Sequence, residues 1–288
     1  MPFAIMLVAQ LATLQDRYVA LLDQMEIRNT DPNRGSGGGV VFVGYASWGW
    51  KPNPDLVNDR TRLLADLDEW ISLFRLIHRG SLPETAKRIE VVESLLRRWL
   101  AQEGGDHSVP SRIEKAIAEV TTAFDELRAL IAQVAVGAGG YVVVPDTNAL
   151  LREPDVASYR TSLGTDEYCV VMVPPVLAKL DEQKDRGRTE DVRKAAATAV
   201  RRLKGLRDRG DARHGVRVQG RTTLRFEHRD VRPPEILDWL DATVPDDRLL
   251  AAALDLQGRY PMASVVLVTS DLKLQTKATV AALPFLDL

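Results

Sequence analysis

The stretch Tyr141-Val-Val-Val-Pro-Asp-Thr-Asn148 places Asp146 directly after a short apolar run of the kind that forms a buried strand. Asp271 follows a second such run, and Asp247 stands at the head of an apolar helical pattern. The carboxyl ends of parallel strands form the edge at which an α/β sheet builds its sites. Clustered carboxylates repel one another unless a cation lies between them, and a hard divalent cation is the usual partner. The three aspartates therefore predict a metal-dependent site that acts on phosphate.

The sequence from Tyr141 onward alternates short β-branched runs with helical patterns. Strands alternating with helices indicate an α/β domain whose sheet is largely parallel, with helices on both faces. Four strands are expected, over residues 141–144, 168–173, 216–218 and 265–269.

The N-terminal half has a different period. Residues 3–136 contain four apolar series that advance by alternating steps of three and four, which keeps one stripe of each helix facing a partner. Short later connections favour antiparallel neighbours, so an all-α antiparallel four-helix bundle is predicted for a domain spanning 1–136, followed by a second domain at 141–288. Ser81-Leu-Pro-Glu84 fits a capping box at one helix start.

The connection at 29–59 combines a glycine-rich turn with several aromatic residues. Two interpretations are open. The aromatic side chains stack on bases or grip a partner, or they cover the end of the bundle as a long loop. We favour the second.

The net charge of −2 hides a basic segment. Residues 184–221 carry 13 Lys and Arg against 5 Asp and Glu, an excess that suits nucleic acid, although a solvated helix face is the alternative. The one cysteine, Cys169, indicates no disulfide framework. No run reaches the roughly 18 apolar residues of a membrane span, and no Lys or Arg precedes Arg17 as in a signal peptide. A cytoplasmic protein without a membrane partner is expected.

The second half resembles PIN-domain ribonucleases over about residues 140–288. Val142-Val-Val-Pro-Asp-Thr-Asn-Ala-Leu-Leu151 is similar to the first strand and turn of that family. The other matching motifs are Val173-Pro-Pro-Val-Leu-Ala-Lys-Leu-Asp181, the basic run 193–203, Asp246-Asp-Arg-Leu-Leu-Ala-Ala-Ala253 and Leu267-Val-Thr-Ser-Asp271 with its continuation to Ala278. The resemblance implies a three-layer α/β/α domain with a parallel sheet. The helical half resembles no family that we can name.

The resemblance also implies cleavage of single-stranded RNA with Mg²⁺ or Mn²⁺. By motif position Asp146, Asp247 and Asp271 would be the catalytic metal ligands, with Asp246 ranked after its neighbour Asp247. Thr147 and Asn148 would orient these acids or contact phosphate. Further contacts to RNA are expected from the basic helix, at Arg193, Lys194, Arg201, Arg202 and Lys204.

One position departs from the family pattern. After the second strand the family carries a site glutamate, and this chain has Lys179 instead. A lysine cannot ligate a cation. Either Glu182, three residues further on the same helix face, substitutes as catalytic and metal-binding acid, or the site is degenerate and Lys179 binds phosphate directly.

Two functions of different class follow. The first is a metal-dependent endoribonuclease acting on single-stranded RNA. The alternative is a catalytically degenerate RNA-binding or protein-scaffolding module. In either case the helical domain is expected to contribute a protein partner or a homo-oligomer contact.

Overall fold

The computed structural model describes residues 1–29, 48–50, 53–102, 110, 112–135 and 139–288. The chain divides into two compact units, one of Met6–Val134 and one of Met1–Ile5 with Ala135–Leu288. The helices are α1 (Phe3–Asp23), α2 (Val57–Ile77), α3 (Pro83–Ala101), α4 (Ile113–Val134), α5 (Thr147–Arg152), α6 (Arg160–Leu163), α7 (Pro174–Arg186), α8 (Glu190–Arg207), α9 (Pro233–Ile236), α10 (Pro245–Arg259) and α11 (Leu272–Val280). The strands are β1 (Ile27–Asn29), β2 (Trp48–Trp50), β3 (Gly140–Pro145), β4 (Tyr168–Met172), β5 (Val216–Gln219), β6 (Thr222–Phe226), β7 (Ala263–Val268) and β8 (Phe285–Leu286).

The helical unit is an antiparallel bundle of α1 to α4. Trp70 donates its indole N–H to the carbonyl of Leu7 at 3.1 Å, while Arg17 pairs with Asp66 at 2.6 Å. Residue numbers therefore rise along α1 in the direction in which they fall along α2, so the two helices are antiparallel. The same inverse order relates α2 to α3 and α1 to α4, through Arg75–Glu93, Arg97–Asp68, Gln15–Arg128 and Tyr18–Phe124. The predicted antiparallel helical bundle is confirmed.

The expected capping box at Ser81 is wrong. Helix α3 begins at Pro83 with Leu82 as its N-cap in an extended conformation, so Ser81 lies one residue too early. The residue before a proline is driven away from helical geometry, which prevents Leu82 from joining the first turn. The Ser81 hydroxyl instead lies 3.0 Å from Nδ1 of His78.

The segment 29–59 is only partly described. Strands β1 and β2 pair antiparallel, with Ile27 opposite Trp50 and Asn29 opposite Trp48. Residues 30–47 and 51–52 lie outside the described residues, so the two interpretations of the aromatic side chains in this segment stay predictions.

Helix α1 meets the length and composition expected of a membrane span. It is long and apolar enough to cross a membrane, with a mean hydropathy of 1.2 over an 18-residue window. A core helix of a soluble protein passes the same test, and 33% of this window is buried. Leu7, Leu11 and Tyr18 are among its buried residues. The helix is therefore weak support for a membrane span.

The second unit is built on a six-stranded sheet with the order β5-β6-β4-β3-β7-β8. All neighbouring strands run parallel except β5 and β6. The predicted α/β class and largely parallel sheet are confirmed. Strands β6 and β8 extend the predicted set, and β6 returns on β5 through a tight turn at Gly220, whose φ of 56° suits glycine.

Strand β3 occupies the switch point of this sheet. The chain leaves β3 to form β4 on one side and later returns to form β7 on the other side. In open α/β sheets, a crevice forms outside the carboxyl ends of the strands where the connections diverge in this way. The topology therefore directs attention to the residues that follow β3, β4 and β7.

We expect Tyr18→Phe to destabilise the bundle. Tyr18 is 1% exposed, its hydroxyl donates to the carbonyl of Leu96 at 2.9 Å, and burial raises its pKa. Phenylalanine keeps the packing against Phe124 but removes this bond, at a cost of about 1 kcal/mol. Thr122→Val, which removes an exposed hydroxyl from α4, should cost about 0.5 kcal/mol or less. Urea denaturation measures both, and equal losses would show that the buried hydrogen bond contributes nothing.

Candidate functional site

Two aspartates follow neighbouring strands at the switch point. Asp146 comes directly after β3, Asp271 lies just beyond β7, and these strands pair in register with Pro145 opposite Val268. The first turns of α7 and α10 close the same crevice. The pocket that results is lined by Asp146, Thr147, Asn148, Pro175, Val176, Lys179, Pro245, Asp246, Leu249, Asp271 and Leu274.

Asp146 is held rigidly at the base of this pocket. It is the N-cap of α5, and its Oδ1 accepts the amide of Ala149 at 2.6 Å. Its Oδ2 accepts the hydroxyl of Thr269 at 2.6 Å, while its own amide donates to the carbonyl of Val268 at 2.9 Å. The side chain is buried, so both its position and its orientation are fixed by the strand ends.

Burial raises the pKa of Asp146, because the charged form loses its hydration. The hydrogen bonds from Thr269 and Ala149 and the positive charge of Lys179 act in the opposite direction, and the negative charge of Asp271 adds to the rise. Burial therefore makes the charged form of this carboxylate less favourable than it is in water. A bound cation would act in the opposite direction.

Asp271 presents the second carboxylate. It is the N-cap of α11, and its Oδ1 accepts the amides of Lys273 at 2.8 Å and Leu274 at 3.1 Å. Within the described part of the chain, no hydrogen bond engages its Oδ2. This oxygen is therefore available to a ligand in the pocket.

Thr269 joins the two acids. Its hydroxyl donates to Asp146 and accepts the amide of Asp271 at 3.0 Å, and its side chain is completely buried. Sequence reasoning missed this residue. The signal was the hydroxyl in Val268-Thr-Ser-Asp271, one position beyond the strand and two before the acid.

The structure reverses the predicted order of Asp246 and Asp247. Both belong to the first turn of α10, where successive side chains point about 100° apart, so one of them at most faces the pocket. Asp246 is half-buried and lines the pocket. Asp247 is 3% exposed and turns inward, where its Oδ2 accepts the amide of Asp241 at 3.0 Å and its Oδ1 pairs with Lys277. Asp247 therefore has structural partners and does not line the pocket, and its assignment as catalytic metal ligand stays a prediction.

The structure does not bring Glu182 to the lining of the pocket, and its role as a substitute acid stays a prediction. Lys179 is half-buried and lines the pocket, whereas Glu182 is exposed and lies outside its lining. Helix α7 starts at the edge of the sheet with Pro174, and each further turn carries its side chains about 5.4 Å along the axis. One turn beyond Lys179, the helix has left the crevice.

The remaining sequence-predicted residues fall into two groups. Thr147 is buried and Asn148 is exposed, and both line the pocket. The basic residues are all exposed on α8, away from the lining of the pocket; four of them lie within an arc of about 100° around the helix, and Arg202 points elsewhere. Several already have partners: Arg193 with the carbonyl of Gly187, Lys194 with Glu190, and Arg202 with Asp155.

The donor set fits a hard divalent cation of the Mg²⁺ type. Such an ion prefers carboxylate oxygens and is commonly held by one or two carboxylates, with water and substrate phosphate completing the coordination. Asp146 and Asp271 offer two carboxylates, and Asp246 reaches the same pocket. Across the described ranges, no three acidic, histidine or cysteine side chains converge closely enough to hold an ion by themselves. The arrangement therefore suits an open site that is completed by substrate.

We expect substitutions of the two adjacent aspartates to separate structure from chemistry. Asp247→Ala leaves Lys277, which is 23% exposed, without its partner and should lower the free energy of unfolding by about 2 kcal/mol. Asp246→Ala removes a pocket carboxylate without a structural bond and should cost about 0.5 kcal/mol or less. Urea denaturation of both variants tests this, and a stable Asp247→Ala protein would contradict the structural role.

Comparison with known proteins agrees with this geometry. A family model described as PIN domain matches residues 143–288, about half of the chain. No curated protein matches the chain as a relative. The matched range contains the six-stranded sheet almost entirely and every residue of the pocket. PIN domains have a nuclease-type fold, and this supports a ribonuclease-like function at the level of the family. The chain belongs to the PIN-domain family.

Proposed function

We propose that this protein is a divalent-metal-dependent endoribonuclease of the cytoplasm that hydrolyses phosphodiester bonds of single-stranded RNA. The observation that carries the proposal is the pair of carboxylates at the ends of β3 and β7. Asp146 and Asp271 lie on one pocket and are joined through the hydroxyl of Thr269. Asp146 is buried and Asp271 is half-buried, and among the described residues neither carboxylate has an ion-pair partner within 4.0 Å.

The residues of the pocket would have different roles in this reaction. Asp146 and Asp271 would hold Mg²⁺ or Mn²⁺, which when bound lowers the pKa of water and neutralises charge on phosphate. Thr269 fixes the spacing of the two acids, and Asp246 offers a further carboxylate to orient water by hydrogen bonding. Leu249 and other apolar side chains of the lining restrict bulk water at one side.

The basic face of α8 would bind the RNA backbone. Helix α8 packs against α7 and α5, both of which contribute residues to the pocket. Arg201 and Lys204 are exposed, and no ion pair engages either of them within the described ranges. Lysine and arginine that neutralise phosphates release counterions, so binding through this face would weaken steeply with salt.

A non-catalytic RNA-binding or scaffolding module is the second candidate. The observation in its favour is that Lys179, which cannot ligate a cation, lines the pocket at the position where the family pattern has a glutamate. This candidate predicts RNA binding without cleavage.

The helical unit offers a separate surface. A groove between α1 and α2 is lined by Leu14, Trp70 and Leu73 together with charged residues such as Arg17 and Asp66. We propose that this unit serves a protein partner or self-association rather than chemistry.

Cleavage of labelled single-stranded RNA in the presence of Mn²⁺ tests the nuclease. Asp146→Asn should lower the rate at least about 100-fold, because it removes a charged ligand from the site. The variant should remain folded, since asparagine can still cap α5 and burial no longer opposes a charge. Asp238→Asn, an exposed aspartate of the same unit, is the matched control. Wild-type protein that binds RNA without cutting it would favour the second candidate.

The RNA-binding face predicts a salt effect. Arg201→Gln combined with Lys204→Gln should weaken binding of single-stranded RNA and reduce the slope of log affinity against log salt by about 1.4, at about 0.7 for each phosphate contact. The control exchanges two exposed lysines of the helical unit, Lys87→Gln and Lys115→Gln. Fluorescence anisotropy in EDTA measures both, and an unchanged slope for the α8 variant would place the RNA elsewhere.

A further inference from the structure

Lys179 is a half-buried cation with no assigned structural partner. It lies on α7 and lines the pocket together with Asp146, Asp246 and Asp271. Its charge lowers the pKa of Asp146, which shows that the two groups are within electrostatic range. Yet in the part of the chain that the structure describes, no hydrogen bond or ion pair within 4.0 Å holds its ammonium group.

Lys277 provides the contrast. This second lysine also approaches the acidic residues, but its ammonium group pairs with the buried Asp247 and ties α11 to α10. The ammonium group of Lys277 therefore has a structural role. Among these two lysines, Lys179 is the one whose charge is directed to the pocket.

The charge count of the pocket limits what the site can hold. Counted in their charged forms, the three carboxylates and one ammonium group of the lining give a formal charge of −2, which one divalent cation neutralises. A glutamate at position 179 would give −4 and would add oxygen ligands for a second ion. An ammonium group cannot act as a ligand, and it repels a cation placed beside it.

We infer that Lys179 restricts this site to a single divalent cation and itself binds a non-bridging phosphate oxygen of the RNA. Asp146 and Asp271 hold the ion, and Lys179 supplies the positive charge at the position that a second ion would otherwise occupy. The ammonium group carries three donors on a flexible stem, which suits a phosphate oxygen approaching the mouth of the pocket. Lys179 is thus a specificity-determining residue for both cation number and substrate. Its phosphate contact rests on the proposed function, whereas the cation count does not.

The number of cations bound tests the inference that Lys179 restricts the site to one ion. The full-length chain is titrated with Mn²⁺, and the unbound ion is followed by electron paramagnetic resonance. Wild type should bind one equivalent. Lys179→Glu should bind a second equivalent, or the first about tenfold more tightly, because a repulsive charge is replaced by a ligand. Lys179→Met, which removes charge without adding a ligand, should bind one equivalent more tightly than wild type.

Lys184→Glu is the matched control. Lys184 lies on the same helix but pairs with Asp181 and Asp185 instead of lining the pocket. Circular dichroism confirms that each variant is folded. Two equivalents bound by wild type, none bound by wild type, or equal affinities for Lys179→Glu and Lys184→Glu would overturn the inference.

RNA binding in EDTA tests the inferred contact between Lys179 and phosphate. Lys179→Met should weaken binding of single-stranded RNA by about three- to tenfold and lower the salt slope by about 0.7, as expected for one phosphate contact. Lys87→Met, at an exposed lysine of the helical unit, should leave both unchanged, and equal effects of the two substitutions would overturn the contact. If RNA is not cleaved although wild type binds one Mn²⁺, the proposed nuclease fails and the cation count stands. If RNA is cleaved with two ions bound, the inference alone fails.

Discussion

The hydroxyl of Thr269 is the interaction on which the candidate site depends. It donates to the carboxylate of Asp146 and accepts the amide of Asp271, so that one buried group couples the ends of β3 and β7. The coupling works because these strands are parallel, adjacent and in register. A slip by one residue would turn Asp146 to the other face of the sheet and separate the acids. The parallel pairing of the central strands is thus a precondition of the chemistry.

Much of the fold was accessible from hydrophobic periodicity alone. The α1 to α4 stripes and the central strands are strongly periodic, and periodicity reports which face of an element is buried. Strands β6 and β8 were missed for different reasons. Thr222–Phe226 mixes polar and apolar residues at the side of the sheet, and Phe285–Leu286 is too short to show any period. Their pairing depends on neighbouring strands, which local sequence does not encode.

The site was predicted to the level of motifs but not of individual side chains. Asp146 and Asp271 were found because an acid just after a strand must emerge at the sheet edge. The choice between Asp246 and Asp247 depended on the rotation of α10 about its axis, and in the structure Asp247 turns inward to Lys277, 30 residues away in sequence. Glu182 lies outside the pocket for a related reason. It shares a helix face with Lys179, but it is about one turn further along the helix axis.

The burial of Asp146 has a consequence for the stability of the folded protein. Because burial raises the pKa of Asp146, its charged form costs the folded protein stability near neutral pH, and active sites commonly carry such costs. Asparagine at this position would remove the buried charge and could still cap α5, so it is the replacement that stability alone would favour. Stability and metal binding therefore make opposite demands on one carboxylate.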